Sequence, residues 1–182
     1  MRLFHFSEES GIARFEPRPV RVPSERAAGM EWLNGPLVWA IDEVRQPLYL
    51  FPRDCPRILL WPGPDTRAAD RALWLGDTTA RVVAFIETPW VETHARACIH
   101  RYELPTATFE DLQDAGMWAS RRTVEPVGVT TFIDLPAELV AQGAELRVVE
   151  SLWPLVAAHG SSLGFNGLRL RHAGNLPDAQ TF

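Results

Sequence analysis

Apolar residues in this chain gather in short runs cut by Gly and Pro, and the runs read as strands and brief helices. Residues 38–41, Val-Trp-Ala-Ile, have strand-compatible side chains with no breaker. Asp42 follows, and its carboxylate can accept backbone donors where the strand turns. Pro47 suits the first turn of a helix, residues 48–51 continue it and Pro52 stops it. Residues 58–61, Ile-Leu-Leu-Trp, then return as a strand. Near the amino terminus, residues 3–7 (LFHFS) alternate, with Leu3, His5 and Ser7 on one face and Phe4 and Phe6 on the other. Ile12 and Phe15 are spaced to dock one helical turn ahead of Pro17-Arg18-Pro19. Residues 20–36 lack periodicity and read as a mobile loop.

Further along, Asp65 is expected to cap a helix over 66–75, with Ala68, Ala72 and Leu75 on one face and Gly76 ending it. The β-branched run 79–88 predicts an interior strand ending near Glu87. Residues 96–104 predict a strand with one wetter face, Cys98, His100 and Tyr102 alternating with Ala97, Ile99 and Arg101. Two short strands are expected over 116–120 and 123–129, a helix capped by Asp134 over 134–142, a strand over 144–150 and a helix over 151–159. Residues 160–182 read as a loosely packed tail. The sum is an α+β chain with a mostly antiparallel sheet of about six or seven strands and short peripheral helices, in a single domain over 1–182.

Composition narrows the function. A hydrophobic content of 46% and a charged content of 23% are those of an ordinary globule. Seven Trp and fifteen Pro favour irregular corners and aromatic-lined surfaces over a helical bundle. The net charge of -5 argues against a broad nucleic-acid-binding face, since phosphate backbones draw on clustered cations. The cations are Arg, suited to bidentate contact with carboxylate or phosphate. Cys55 and Cys98 lie in no paired motif, the first residues are too polar-interrupted for a signal peptide, and no run has membrane-spanning length. A cytoplasmic setting is expected, and the oligomeric state is left open.

Candidate chemistry concentrates in two places. His5 and Ser7, two apart on a strand, face the same way and can both hydrogen-bond one ligand, or brace each other. The corner 53–57, Arg-Asp-Cys-Pro-Arg, supports ligand contact or a simple ionic brace. Cys55 is read as a buried structural thiol ahead of a reactive one. His94, Cys98 and His100 have metal-ligand chemistry but no fourth partner, and no metal site is expected. No Gly-rich phosphate loop or Gly-x-Ser-x-Gly elbow occurs.

The runs LFHFS, Ile12-x-x-Phe15-x-Pro17-Arg18, VWAID and LYLFPRDCPR, followed by Glu87-Thr-x-Trp90, resemble a bacterial family known as domain of unknown function 6886. That resemblance implies no activity. The order of features also resembles the ADP-ribosyltransferase superfamily. There a His-x-Ser/Thr on the first strand holds NAD, and the second strand leads to a helix whose tyrosine stacks on nicotinamide. On this resemblance the sheet is a split, ADP-ribosyltransferase-like one, and His5, Ser7, Arg18, Trp39 and Tyr49 bind the ligand, with Arg53 and Arg57 on its phosphate. Such transferases carry a glutamate at the head of a late strand, where Gly116 stands here, so Glu87 or Asp114 must supply the acid. The expectation is a nucleotide-type ligand, NAD or an ADP-ribose derivative, bound in a cleft. If the chain is catalytic, His5, Glu87 and Asp114 would act in transfer or cleavage at an N-glycosidic bond. The alternatives are a non-catalytic protein-interaction module and a small hydrolase using Cys55 or His5.

Overall fold

The computed structural model describes residues 1–20, 23 and 25–174; Arg21, Val22, Ser24 and residues 175–182 lie outside the described residues. Part of the expected mobile loop (20–36) and part of the expected loose tail (160–182) therefore fall outside them. Ten strands are present among the described residues. They are β1 (Leu3–Ser7), β2 (Val38–Asp42), β3 (Arg57–Trp61), β4 (Val82–Glu87), β5 (Ile99–Leu104), β6 (Glu110–Asp111), β7 (Met117–Ser120), β8 (Gly128–Phe132), β9 (Ala144–Val149) and β10 (Gly164–Leu168). Three α-helices join them: α1 (Ala68–Trp74), α2 (Val91–Arg96) and α3 (Leu135–Ala141). The class is α+β, with mostly antiparallel sheets and few, short helices.

The chain divides into two compact units, Met1–Gln46 with His100–Thr131, and Pro47–Ile99 with Phe132–Phe182. The first holds a six-stranded sheet in the order β6-β7-β2-β1-β5-β8. β1 lies in its interior, antiparallel to β2 through Leu3↔Asp42 and to β5 through His5↔Tyr102. Asp42 turns the chain after β2 as its side chain predicts, its Oδ1 accepting the Arg45 amide at 2.6 Å. Leu3, Val38, Ala40, Tyr102 and Leu104 form the core on one side, covered by Phe15, Phe109 and Val124.

The second unit holds a four-stranded sheet in the order β10-β3-β4-β9. Every residue of β3 and β4 is buried, which explains their unbroken apolar runs. Ile58, Leu60, Val83 and Phe85 alternate onto one face and pack with Leu75, Leu152, Ala158 and Leu163. Each such side chain contributes about 1.5–3 kcal/mol by leaving water. β4 and β9 are parallel over six register pairs, and the crossover between them includes α3. The Asp134 side chain accepts the Ala137 amide at 3.0 Å to start α3, and Gly143 follows it at φ +71°.

Several local expectations are corrected. Phe15 sits in a β-bridge with Val124, bonded through both backbones at 2.8 and 3.0 Å, and in no helical turn. α1 begins at Ala68 behind an uncapped Arg67, so Asp65 does not cap it. Residues 91–96 are the helix α2, and the strand that follows starts at Ile99 rather than residue 96. The expected strand over 123–129 lies later, at β8. The helices expected at 47–51 and 151–159 are tighter 3-10 turns, Gln46–Tyr49 and Trp153–Gly160.

Residues 164–168, in the stretch read as tail, form β10 and pair with β3 over five positions. Gly164 makes this fit: a Cβ there would lie 2.1 Å from the Trp61 ring, which is itself 6% exposed. Gly164→Ala is therefore expected to destabilise the fold by about 1–3 kcal/mol, the usual cost of overpacking a filled site, seen as a lower urea midpoint.

Candidate functional site

His5 and Ser7 lie on the interior strand β1. The His5 ring is half-buried; its Nδ1 lies 2.8 Å from the Trp39 carbonyl, and its face is 4.6 Å from the Phe15 ring. A carbonyl only accepts, so Nδ1 carries the proton, and in the neutral ring Nε2 is an acceptor. Ser7 is buried, and its Oγ accepts the Glu9 amide at 3.1 Å. Trp39, on β2, packs beside Leu33, Leu37 and Ala119. Arg18 is exposed and bridges Leu37 through its backbone.

The head of β7 belongs to the same unit. Gly116 has φ +74°, and a Cβ there would lie 2.7 Å from both Asp42 Oδ2 and Arg45 Cγ. Its carbonyl accepts the Asp42 amide at 2.9 Å. A glutamate at this position would need both a strained backbone and displaced neighbours. Asp114 is exposed on the turn before it, between Gln113 and Ala115, whose φ angles are 53° and 46°. Such left-handed non-glycine residues store strain and cluster where loops have work to do.

The remaining candidates belong to the second unit. Tyr49 is half-buried in the 3-10 turn Gln46–Tyr49, and Arg53 is exposed. Arg57 is 4% exposed. It donates Nε to the Leu48 carbonyl and Nη1 to the Cys55 carbonyl, both at 3.0 Å. Its guanidinium lies 5.1 Å from the Phe51 ring centre and 5.9 Å from that of Tyr49. Loss of hydration lowers its pKa to about 10. Glu87, 2% exposed, accepts the Leu152 amide at 3.1 Å through Oε1 and the Gly174 amide at 2.7 Å through Oε2. Both carboxylate oxygens thus hold backbone.

Cys55 is fully buried, and burial pushes its thiol up to about 12 against the opposing pull of Arg57. His94, in α2, is buried with Nε2 3.0 Å from the Leu50 carbonyl and Nδ1 without a partner. Burial holds its pKa below the ordinary 6.5. Among the described residues no group of three or more His, Cys, Asp or Glu could hold a metal ion. Nor is any helix among them long and apolar enough to cross a membrane.

Two residues escaped the sequence reading. Arg169 donates Nε to the Arg53 carbonyl at 3.0 Å, and His172 Nδ1 lies 2.9 Å from the Asp54 carbonyl. No motif marks them; the one sequence signal is the density of Arg and His over 169–172. A separate open cleft of about 340 Å³, lined by Pro105, Ala107, Thr108, Thr123, Val124 and Glu125, contains none of the anticipated residues.

The two buried titratable groups give measurable consequences. Iodoacetamide at neutral pH is expected to add one label to the native protein, at exposed Cys98, and a second only after denaturation, counted by mass spectrometry. His94 is neutral in the fold and takes its proton more easily when unfolded. Its contribution is therefore intact above 6.5 and is lost as pH falls below that value, because the unfolded chain then binds more protons. The stability-pH slope from urea titrations on this acid side should be shallower in His94→Leu than in the native chain.

No curated protein and no solved structure matches the chain. A family model described as "Family of unknown function (DUF6886)" matches residues 4–173, a span that includes every candidate residue named above. The chain belongs to this family of unknown function, DUF6886.

Proposed function

We propose that the six-stranded unit binds a nucleotide-type ligand, of the NAD or ADP-ribose kind, at His5 and Ser7 of β1. One observation supports this reading: the strands that the ADP-ribosyltransferase resemblance matches to the first strand, the second strand and the late strand with the acid position are immediate neighbours, in the order β7-β2-β1. They bring β1 with His5-x-Ser7, β2 with Trp39, and β7 with Gly116 at its head into one continuous patch of sheet. With Nδ1 fixed on the Trp39 carbonyl, Nε2 has the acceptor character that a ribose hydroxyl needs.

Binding is favoured over transfer in this proposal. The acid position is Gly116, and the space of its missing side chain is filled by Asp42 and Arg45. Asp114, exposed on the strained turn two residues earlier, is the carboxylate this reading assigns to charge stabilisation in any N-glycosidic chemistry. Glu87 is not assigned that role, because its oxygens are held by Leu152 and Gly174.

A second reading, a non-catalytic interaction module, draws on β8. This strand closes one end of the sheet; Val129 on it is 59% exposed, and Val127 just ahead of it is 69% exposed. Its occupant would be the β8 of a second copy, pairing edge to edge.

Thermal unfolding with NAD, ADP-ribose, nicotinamide or AMP tests the first reading. A ligand at a hundred times its Kd stabilises by about 2.7 kcal/mol, a rise of several degrees in Tm. His5→Ala is expected to lose that rise while still unfolding cooperatively. If no compound shifts Tm and light scattering shows a concentration-dependent dimer, the interaction module replaces the ligand site.

A further inference from the structure

Three consecutive carbonyls in the second unit are each engaged by a basic side chain. Arg169 Nε bonds the oxygen of Arg53, His172 Nδ1 that of Asp54, and Arg57 Nη1 that of Cys55. The arrangement follows from register: Leu168 pairs with Arg57 across β10 and β3, so Arg169 leaves the sheet beside Arg57. Their charges oppose each other. Neither guanidinium has a carboxylate within ion-pair distance among the described residues. Arg57 is nevertheless almost wholly buried, an environment in which an unpaired charge is costly.

Further donors remain. Each guanidinium has five N–H groups in a planar fork, of which Arg57 uses Nε and Nη1 and Arg169 uses Nε. Arg169 is held at φ +57°, a left-handed conformation that a non-glycine residue adopts at a cost. Of the neighbouring carboxylates, Asp54 lies 3.8 Å from His172 Nδ1 and Glu87 accepts the Leu152 and Gly174 amides, and neither forms an ion pair with either arginine.

We propose that the corner formed by residues 53–57 and 169–172 is an oxyanion site that takes a phosphate group, carried by inorganic phosphate or by a phosphomonoester. Two guanidiniums supply two positive charges, and a phosphate dianion balances both where a carboxylate would balance one. His172, with Nδ1 on the Asp54 carbonyl and Nε2 accepting from Arg171 Nε at 3.1 Å, fixes the edge of the corner and takes no part in the binding. The transferase resemblance puts Arg53 and Arg57 on phosphate; in this corner Arg57 and Arg169 are the pair proposed to bind it. The site stands on the second unit alone and does not depend on the reading of β1.

The test is calorimetric titration of the whole chain with inorganic phosphate, then with glycerol 3-phosphate, against sodium chloride at equal ionic strength. Saturable phosphate binding is expected, weakened about tenfold or more in Arg169→Gln, the loss typical of one charged hydrogen bond. It should persist in His5→Ala and in Arg96→Gln, which removes a positive charge on α2. Tighter binding of glycerol 3-phosphate identifies the phosphate as the handle of a larger molecule; tighter binding of inorganic phosphate identifies the free ion as ligand. Should Arg169→Gln fail to fold, the Arg57 and Arg169 Nε–H resonances of the native chain provide the readout, and both should move together as phosphate saturates. Equal responses to phosphate and chloride, undiminished binding in Arg169→Gln, or stationary Nε–H resonances would overturn the proposal.

Discussion

Two opposite charges sit on adjacent buried strands of the second unit and do not pair. Arg57 opens β3, Glu87 closes β4, and the register sets Arg57 opposite Ile86, next to Glu87. Each charge is satisfied by backbone instead: Glu87 by the amides of Leu152 and Gly174, Arg57 by the carbonyls of Leu48 and Cys55. Removing an ion from water is costly, and fixed peptide dipoles are one of the few ways to offset that cost without a counter-ion. The consequence for the fold is connectivity. The Glu87 carboxylate ties β4 to segments 65 and 87 residues away in the chain, so the last described residues are fastened to the central strand. Arg57 ties the start of β3 to the turn that precedes it. The two central strands can be apolar between these positions because their charged ends face main chain.

This explains what the sequence made legible. Runs such as VWAID, RILLW and VVAFIE carry their own strand signal, since each apolar residue in them is buried or half-buried whatever surrounds it. Asp134 and Gly143 bound α3 by local chemistry, which a sequence states directly. β10 carries no such signal. Its sequence, GFNGL, has two glycines and an asparagine, and it becomes a strand only because the Trp61 ring occupies the place of a side chain at Gly164. Phe15 likewise pairs with Val124, more than a hundred residues on, where the spacing of Ile12 and Phe15 pointed to a local turn. Asp65 had the right chemistry for a cap, but the helix began beyond its reach. For the candidate site the division is the same. Side-chain chemistry at His5, Ser7 and Arg57 could be read in advance, whereas the carbonyls that receive Arg169 and His172 have no sequence signature.

In the six-stranded unit one glycine decides how far the resemblance to a transferase extends. Gly116 is required by its backbone angle and by Asp42 and Arg45, which close over the position. Asp42 is itself committed, through Oδ1 to the Arg45 amide and through its own amide to the Gly116 carbonyl. The turn after β2 and the head of β7 are therefore one interlocked structure. An acid at residue 116 would have to dismantle the corner that positions β2 against β7. The strain at Gln113 and Ala115 lies on the adjacent turn and holds Asp114 out into solvent. On the proposed reading β1 and β2 hold a ligand while residue 116, the place of the transferase acid, is structurally closed, and recognition is then separated from catalysis within the same sheet.

The corner of the second unit poses the converse question, whether three basic side chains on three carbonyls are a brace or a site. A brace needs one donor for each acceptor, and neutral glutamine, asparagine or serine would provide it without burying charge. Arginine in this role leaves terminal donors over and brings two like charges together in a protected place, so the free fold carries an electrostatic cost that a brace does not explain. The molecule as a whole is acidic, with a net charge of -5, so the excess positive charge here is local rather than a reflection of composition. A local excess of charge, partly desolvated and presented by forked donors, is relieved by an oxyanion, and the same carbonyls that hold the arginines in place keep them preorganised to receive it.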